Sequence, residues 1–524
     1  MSTIGTLGAG IVFATALIVS VRLTLALFAK KPGPLPPGPK GLPFFGNIRD
    51  LPPPGQRECD HWIKHKDLYG PISSVTVLGT TIVIVQSPEL AIELLEKRSL
   101  NYSSRPKFTF AEIAGFGNIL PMLPYNKTLR SYRRAMHSML GSPAAVASFM
   151  DRQEIESQRL LMRILHEPES FLEHIRTAAG AFILKMIYGY TIEPHKPDRL
   201  VQLIDASTEY FAAAAASGTW LVDILPALRY LPEWMPGTGW KKTAKLWNAT
   251  VTETGEKPLR FARKQAARGN PEKSYVNRLY REKGDELTHE DHELIKWSAF
   301  SLYGGGADTT VSTISAFLLA MTLYPDVQRK AREEIDRVIG SGRLPKYSDK
   351  EHLPYVGAVV SEAWRWHTVA PIVAPHMAEA ADTINGYYIP KGALVIANLW
   401  WFTHDPAVYP DPSLFNPLRF LGPNPAPDPN RHNFGYGRRI CPGQHLARSS
   451  VWVTIAQLLA VFDISKGLDE NGREIEPIVA STPGIVSRPR DFKAIITPRS
   501  PQHEALIREA ERLYPWEESH ANEL

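Results

Sequence analysis

Cysteine is scarce in this sequence: its 524 residues include only two, Cys59 and Cys441. A framework of disulfides is therefore excluded, and the chain is expected to face a reducing compartment. Structural zinc sites and small iron–sulfur clusters are disfavoured as well, because they need several clustered sulfur or imidazole ligands. A metal held by this chain would have one cysteine ligand.

Strong charge of either sign is also absent. The formal net charge is +5, which is small for this length, so we expect neither nucleic-acid binding nor an acidic tail. Repeats and low-complexity blocks are missing apart from a proline-rich stretch at residues 32–46. With 44% hydrophobic residues the chain can bury a large core, and no break in composition divides that core.

One long apolar run is present at residues 7–28, interrupted only by Arg22. Its length is that of a membrane-spanning helix. A cleaved secretory signal is the alternative, but such signals start with basic residues, whereas here Lys30 and Lys31 follow the apolar run. This placement of charge predicts a single span with the rest of the chain in the cytosol.

Periodic apolar patterns predict a mainly α-helical fold with small β-sheets. A hairpin is predicted at 75–85 around Gly79, and short strands are predicted at 387–389 and 394–397. The predicted helices lie at residues 88–97, 129–140, 151–165, 171–188, 200–215, 241–268, 289–323 and 325–339.

Cys441 stands in a glycine-rich run, residues 434–443, that suits one metal-binding thiolate. Pro442 can open a helix whose positive end would lower the pKa of the thiol. Arg438 and Arg439 can neutralise a carboxylate. This combination fits a single axial ligand to haem iron, and the alternative is an inert buried cysteine.

Two further patterns carry chemistry. Three consecutive glycines, 304–306, interrupt a long apolar helix and are followed by Asp308 and Thr309. Each glycine weakens a helix by about 1 kcal/mol relative to alanine, so we expect a need for space at this point. Glu362 and Arg365 are three residues apart on a predicted helix, next to Trp364, which predicts a buried ion pair on one face.

Together with residues 415–420, these motifs resemble those of the haem-thiolate monooxygenases, the cytochromes P-450. The motifs occur in the family's order, and the likeness extends from residue 32 to about residue 498, most closely to microsomal members of fungal secondary metabolism. The resemblance implies the family's fold, haem b with Cys441 as axial iron ligand, and a place in the endoplasmic reticulum membrane. It implies a membrane anchor at 1–31, a hinge at 32–46, a haem-thiolate catalytic domain at 47–498 and a tail at 499–524.

The resemblance also implies roles for individual residues. Thr309 and Asp308 would deliver protons above a bulge opened by the glycines, and Arg419 would join Glu362 and Arg365 in a structural triad. The haem would be held by Cys441, Arg439, Arg133, His376, Phe434, Gly437 and Gly443. Lys127 and Arg134 would face an electron donor, although a solvated helix face explains these charges equally well.

A substrate pocket is implied by the same resemblance, and its lining would be almost wholly apolar or aromatic. No obvious cation stands among these residues, so a strongly anionic substrate is disfavoured. A second apolar segment, 220–235, is expected either in the core or dipping into the membrane. The expected pocket residues are Phe110, Phe116, Phe300, Tyr303, Ala307, Val369, Ile372 and Ile485.

The sequence therefore predicts a membrane-anchored monooxygenase that inserts one oxygen atom from O2 into a hydrophobic small molecule. Its expected partners are an NADPH-cytochrome P-450 reductase, cytochrome b5 and the membrane. Two alternatives remain open. One is a haem-thiolate enzyme that rearranges its substrate or uses peroxide without a reductase, and the other is a non-catalytic haem-binding sensor.

Overall fold

The structure, a computed structural model, describes residues 33–53, 55–216, 218–269 and 273–524. The predicted membrane span at 7–28 lies outside these residues. The longer helices are α1 (Lys127–Leu140), α2 (Met150–His166), α3 (Phe171–Tyr188), α4 (Arg199–Ala214), α5 (Gly239–Ala267), α6 (Tyr275–Lys283), α7 (His289–Leu323), α8 (Pro325–Val338), α9 (Pro354–Trp366), α10 (Gln444–Val461) and α11 (Pro501–Leu513).

Shorter helical turns connect these elements. The α-helical ones are Glu58–Trp62, Lys64–Tyr69, Pro88–Ile92, Ser99–Tyr102, Thr109–Ala111, Pro143–Ala147, Leu221–Ile224, Leu399–His404 and Asn430–Asn433. Wider π-helical turns are Glu93–Lys97 and Glu112–Phe116. Tighter 3₁₀ turns are Ile48–Asp50, Pro168–Ser170, Pro226–Tyr230, Gly284–Glu286, Tyr347–His352, Pro417–Phe420, Gly437–Arg439 and Ala521–Glu523.

The strands form small sheets at the edges of the helical body. The largest sheet has the order β1-β2-β6-β3, with β1 and β3 antiparallel to their neighbours and β2 parallel to β6. Two hairpin-like pairs complete the set, β4 with β5 and β7 with β8. The strands are β1 (Ile72–Val77), β2 (Thr80–Val85), β3 (His376–Met377), β4 (Asp382–Ile384), β5 (Tyr387–Ile389), β6 (Leu394–Ala397), β7 (Phe462–Lys466) and β8 (Ala494–Pro498).

Helix α7 runs through the centre of the protein. Its start is fixed by a capping box, in which Thr288 Oγ1 accepts from the Asp291 amide and Asp291 accepts from the Thr288 amide. Apolar side chains surround it on all faces, as expected for a buried helix. Residues up to Ala307 pack with α3, α4 and α6, and those from Val311 onward pack with α2, α9 and α10. The glycine segment thus lies where these two groups of packed core residues meet.

The mainly helical fold with small sheets confirms the sequence prediction. Helices α3 and α7 and strands β5 and β6 have the predicted bounds. Among the described residues, α7 is also the one helix that is long and apolar enough to cross a membrane. Because 72% of its most apolar stretch is buried within the protein, it is a core helix.

Both ends of the described chain are attached to the body. The proline-rich stretch is extended, and its Pro34 and Pro37 carbonyls accept hydrogen bonds from the amides of Tyr388 (2.7 Å) and Ser74 (2.8 Å). Residues 499–524, predicted as a tail, contain α11, whose Ile507 is fully buried in the core around α2 and α10. The stretch therefore belongs to the packed body.

Candidate active site

Two adjoining cavities meet at Cys441. The larger has a volume of about 360 Å³ and lies between α3, α4, α7 and the segment around Phe116. The smaller, about 240 Å³, lies between α7, α9, residues 369–376 and the Cys441 loop. Both are lined by Thr309, Thr310, Phe434, Cys441 and Ala447.

The glycines of α7 make room for the larger cavity in two ways. Gly305 has open space where a side chain would begin, and Gly306 lies so close to Ile183 of α3 that a β-carbon would collide with it. The prediction of a bulge is wrong, however, because α7 is a regular α-helix across residues 304–310. Thr309 Oγ1 instead donates to the Gly305 carbonyl at 2.7 Å, four residues earlier in the same helix.

The Cys441 loop is held by its own backbone. The Cys441 amide donates to the Phe434 carbonyl at 2.8 Å, and Gly437, at φ +49°, lies against the Leu95 carbonyl so closely that only glycine fits. Phe434 packs edge-on against Trp364, with ring centres 6.0 Å apart. The loop is thereby fixed between the helical turn at 93–97 and α9.

The surroundings of the Cys441 thiol differ from expectation in two respects. Helix α10 begins at Gln444 with Gly443 as its N-cap, so Pro442 precedes the helix. Burial raises the pKa of the Cys441 thiol, and the Gly443 amide hydrogen bond and the charge of Arg133 only partly oppose that rise. The predicted lowering of this pKa is therefore wrong for the chain alone. A metal ion bound to the sulfur would favour the thiolate form of Cys441.

Three partly buried arginines surround this site without an acidic partner among the described residues. Arg105 donates to the carbonyls of Pro121 and Pro375, Arg133 to that of Ile440, and Arg439 to those of Ser103 and Leu120. Burial lowers the pKa of Arg105 to about 9 and of Arg439 to about 10, and it lowers that of Arg133 as well. Buried cations are normally paired. This arrangement fits a cofactor that brings its own carboxylates.

His376 lines the smaller cavity beside these arginines. Its Nδ1 bonds the Tyr102 carbonyl, so the ring can donate to a cofactor carboxylate through Nε2 only when it is protonated. Burial, followed by the charge of Arg105, holds the pKa of His376 well below its usual range. A carboxylate at this position would oppose both effects.

Arg438 does not share the role proposed for its neighbour Arg439. Its Nε donates to the Tyr125 hydroxyl at 3.0 Å and its Nη1 to Ser99 Oγ at 2.7 Å, and it does not line either cavity. The expectation that both arginines face the same carboxylate is therefore wrong for Arg438.

The predicted triad is assembled in the core. Arg365 and Glu362 are fully buried and doubly hydrogen-bonded, and Arg419 Nε lies 3.2 Å from the Glu362 carboxylate. Arg365 also donates to the carbonyls of Thr403, Pro412 and Leu414. The triad therefore ties α9 to the segment that precedes the Cys441 loop.

The predicted substrate residues divide into two groups. Phe116, Phe300 and Ile485 line the larger cavity, and Val369 lines the smaller one. The predictions for the remaining four positions are wrong. Phe110 stacks on Trp220 away from the cavity, Tyr303 donates from its hydroxyl to the Leu200 carbonyl, Ala307 packs in the core, and Ile372 lines a separate pocket of about 30 Å³.

Several other residues of the site could not be predicted from sequence patterns. Phe182 and Ile183 of α3 and Phe211 of α4 line the larger cavity, and helical periodicity alone gave no sign of which face they occupy. Arg105 carried no signal because it is a single charge in a loop. Arg488 follows Ile485 closely in the sequence and is ion-paired with Asp308. No cation lines the larger cavity among the described residues.

Comparison with known proteins gives a consistent result. The family model described as Cytochrome P-450 matches residues 36–495. The cytochrome P-450 monooxygenase claR of Ampulloclitocybe clavipes is 46% identical, over 90% of this chain and 88% of its own length. The cytochrome P-450 monooxygenase ppsD of Aspergillus oryzae is 43% identical, over 94% of each chain. The O-methylsterigmatocystin oxidoreductase of Aspergillus flavus is 38% identical, over 94% of this chain and 93% of its own length.

Proposed function

Because the chain belongs to the cytochrome P-450 family of haem monooxygenases, we propose that it oxidises a neutral, hydrophobic small molecule of fungal secondary metabolism with electrons from an NADPH-dependent reductase. The family uses haem with a cysteine thiolate as iron ligand. Cys441 is that ligand, since Cys59 is buried in the helix Glu58–Trp62 and lines neither cavity.

The residues around Cys441 fit haem. The Cys441 thiol stands beside Arg105, Arg133 and Arg439, which lack acidic partners among the described residues and can bind the two haem carboxylates. Gly437 and Phe434 fix the loop that presents the sulfur. When bound, the haem supplies the redox chemistry that activates O2.

The observation that carries the proposal is that Cys441 and Thr309 line the same apolar space. Thr309 brings a hydroxyl to this space and Asp308 a partly buried carboxyl, and these two neighbours on α7 are able to hold and pass protons there. Phe116, Phe300 and Ile485 add apolar surface to the wall.

The proposed substrate class follows from the same wall. Ser301, a polar residue of the lining, is already engaged, because its hydroxyl donates to the Trp297 carbonyl and accepts from the Leu120 amide. Three lining atoms without a hydrogen-bond partner, Gln153 Oε1, Glu156 Oε2 and Ser157 Oγ, lie together on α2. Substrate polar groups placed elsewhere in the cavity would lose hydration without gaining partners. An apolar, largely aromatic molecule suits this cavity better. The name of the Aspergillus flavus relative, an O-methylsterigmatocystin oxidoreductase, supports a substrate of secondary metabolism.

A membrane location and a reductase partner are part of the proposal. Tyr230 and Trp234 are 83% and 80% exposed within the segment 220–235, which suits insertion into the surface of a bilayer. Lys127 and Arg134 are exposed on α1, the helix that carries Arg133, and suit an acidic electron donor. The apolar run at 7–28 would anchor the chain in the endoplasmic reticulum membrane.

The test is reconstitution of the purified protein with haem, an NADPH-dependent reductase and a panel of apolar aromatic compounds. We expect ligand-dependent change in the haem absorption spectrum and NADPH-dependent product carrying one oxygen atom from ¹⁸O2. Turnover without reductase would favour the peroxide-using or rearranging alternative. Haem binding without any turnover would favour a sensor.

A further inference from the structure

Residues 514–524, here called the C-terminal segment, lie across α2 and α3. Thr191, just beyond the end of α3, bonds twice with this segment: its amide donates to His520 Nδ1 and its carbonyl accepts from the His520 amide, both at 3.0 Å. Further along, Glu523 accepts a hydrogen bond from Gln265 of α5 at 2.9 Å. The C-terminal segment therefore covers the groove between α2 and α3.

A small cavity of about 20 Å³ lies beneath the C-terminal segment. It is distinct from the two cavities at Cys441, although Glu156 borders both it and the larger of those two. Its volume suits one water molecule or one monatomic anion. Its charged and indole side chains come from α2, α3 and the C-terminal segment, and they are Glu156, Arg159, Arg163, Lys185, Trp516 and Glu517.

Arg163 is a buried cation in this wall whose hydrogen bonds are missing. The residue is 8% exposed, and its Nε and Nη1 have no hydrogen-bond partner among the described residues. Its guanidinium lies 4.7 Å from the centre of the Trp516 ring, which attracts the charge but offers no lone pair to these N–H groups. Burial lowers the pKa of Arg163 to about 10, and Glu156 only partly opposes that effect. A buried charge of this kind requires an acceptor.

Unsatisfied donors outnumber unsatisfied acceptors around the cavity. Besides the two nitrogens of Arg163, Arg159 Nε and Trp516 Nε1 are buried without a partner among the described residues. The unpartnered oxygen of the wall is Glu156 Oε2, and Glu156 also faces the larger cavity. A water molecule both donates and accepts, whereas an anion only accepts. The excess of N–H groups therefore favours an anion over water.

The charges of the wall favour the same occupant. Arg159, Arg163 and Lys185 stand against the carboxylates of Glu156 and Glu517. Both carboxylates are already engaged, since Glu156 accepts from Arg159 at 2.6 Å and Glu517 lies 2.9 Å from Lys185 Nζ. The Glu517 side chain is also 43% exposed, so water shares its charge. The positive charge of Arg163 is left to be neutralised, and one monovalent anion does so.

We propose that this cavity binds one monatomic anion of the chloride type, and that the anion fastens the C-terminal segment to α2 and α3. Arg163 supplies charge and two donor nitrogens, and Arg159 and Trp516 supply one donor nitrogen each. Because Trp516 belongs to the C-terminal segment, the site is complete only while that segment is docked. The inference does not rest on the proposed monooxygenase function, because these three residues line neither cavity at Cys441.

Linkage gives the site a measurable signature. An anion that binds only the docked form stabilises docking by a factor that grows with the ratio of its concentration to its dissociation constant. Amide hydrogen exchange at residues 514–524 should therefore slow by about tenfold when the anion is tenfold above its dissociation constant.

The experiment measures this exchange by mass spectrometry on the haem-loaded protein in sodium chloride, sodium bromide or sodium gluconate. The three salts are compared at equal ionic strength, so they screen surface charges equally. Chloride and bromide should slow the exchange in a saturable way. Gluconate should not, because it is too large for a cavity of about 20 Å³.

Substitutions then locate the effect. Arg163→Met keeps an unbranched stem but removes the charge and the N–H groups, so its exchange at residues 514–524 should be the same in all three salts. Arg163→Lys keeps the charge and should retain part of the chloride effect. The matched control is Arg508→Met, which removes a cation that is 56% exposed on α11 and should leave the full effect.

Equal exchange in chloride and gluconate for the wild type would overturn the inference, because water would then fill the cavity. A chloride effect that persists in Arg163→Met would overturn it as well, since the anion would bind elsewhere. If Arg163→Met does not fold, crystals of the wild type soaked in sodium bromide decide the matter. Anomalous scattering should place a bromide against Arg163, and a bromide-free cavity would contradict the proposal.

Discussion

Glu362 and Arg365 form a two-pronged ion pair in the core, with Nε to Oε2 at 2.7 Å and Nη2 to Oε1 at 2.8 Å, and neither side chain is exposed. Removing one member leaves the other charge buried without its partner. We expect Glu362→Gln to lower the free energy of unfolding by about 3–5 kcal/mol. Urea unfolding followed by tryptophan fluorescence measures this change.

The matched control is Glu504→Gln, which removes an exposed pair with Arg508 at 2.7 Å. Exposed pairs contribute roughly 0–1 kcal/mol, so this variant should unfold nearly as the wild type does. Equal effects of the two substitutions would contradict a special role for the buried pair.

The second prediction concerns Cys441. Cys441→Ser replaces the soft sulfur by a hydroxyl that is a poor ligand for haem iron. We expect the reduced carbon monoxide complex to lose its thiolate-type absorption band, whereas Cys59→Ala keeps it. Survival of the band in a Cys441→Ser protein that still holds haem would show that another residue provides the ligand.

Much of the fold could be predicted because its signals are local. The capping residue Thr288 and the proline at 325 bracket α7, and the hairpin of β1 and β2 turns at Gly79 as expected. The Cys441 loop was also predictable, since its glycines and its single cysteine are adjacent in sequence. Local patterns thus located the elements that carry the chemistry.

Contacts between distant segments could not be predicted in this way. Phe110 and Phe116 are equally aromatic, but Gly115, at φ +94°, turns the backbone between them, and only Phe116 reaches the cavity. Arg105 meets the Pro375 carbonyl across 270 residues of chain, and Arg488 meets Asp308 across a shorter but still long separation. The periodicity of apolar residues along the sequence does not indicate which distant residues come into contact.

The third prediction concerns the stacked contact between Phe110 and Trp220. Phe110 and Trp220 stack with ring centres 3.5 Å apart, and the Phe110 amide donates to Asp223 at 2.8 Å. Aromatic pairs contribute about 0.5–1.5 kcal/mol beyond burial, which corresponds to roughly two- to tenfold in an opening equilibrium. Trp220→Ala should therefore speed amide hydrogen exchange at residues 109–116 by that factor.

Trp234→Ala is the control for this effect, because Trp234 lies in the same segment and is largely exposed. Its exchange at residues 109–116 should match the wild type. If Trp220→Ala also left the exchange unchanged, the stacked pair would not hold the two segments together.

The fourth prediction concerns membrane binding. A protein lacking residues 1–31 should still bind vesicles weakly through the exposed apolar side chains of segment 220–235. Tyr230→Ser with Trp234→Ser should abolish this residual binding in a flotation assay. Leu68→Ser, at a position 70% exposed elsewhere on the surface, should leave it unchanged. Residual binding that survives the double change would place the second membrane contact outside this segment.

The last prediction concerns Thr309, whose hydroxyl lines the larger cavity next to Asp308. Thr309→Ala removes the hydroxyl without weakening the helix, since alanine has the higher helix propensity. Haem content and substrate affinity should stay near wild type, because neither depends on this hydroxyl. Protons would then reach the cavity without a group to hold and direct them. We expect NADPH oxidation to continue while product per NADPH falls and released hydrogen peroxide rises.

The matched control is Thr322→Ala on the same helix, where a buried hydroxyl donates to the Leu319 carbonyl at 2.7 Å and does not line either cavity. This variant should keep the wild-type ratio of product to NADPH. General acid–base groups typically contribute about 10²- to 10⁴-fold, so a real loss at Thr309 should be well outside experimental error. If both variants couple NADPH to product as the wild type does, the proton path does not pass through Thr309, and Asp308 must reach the cavity by another route.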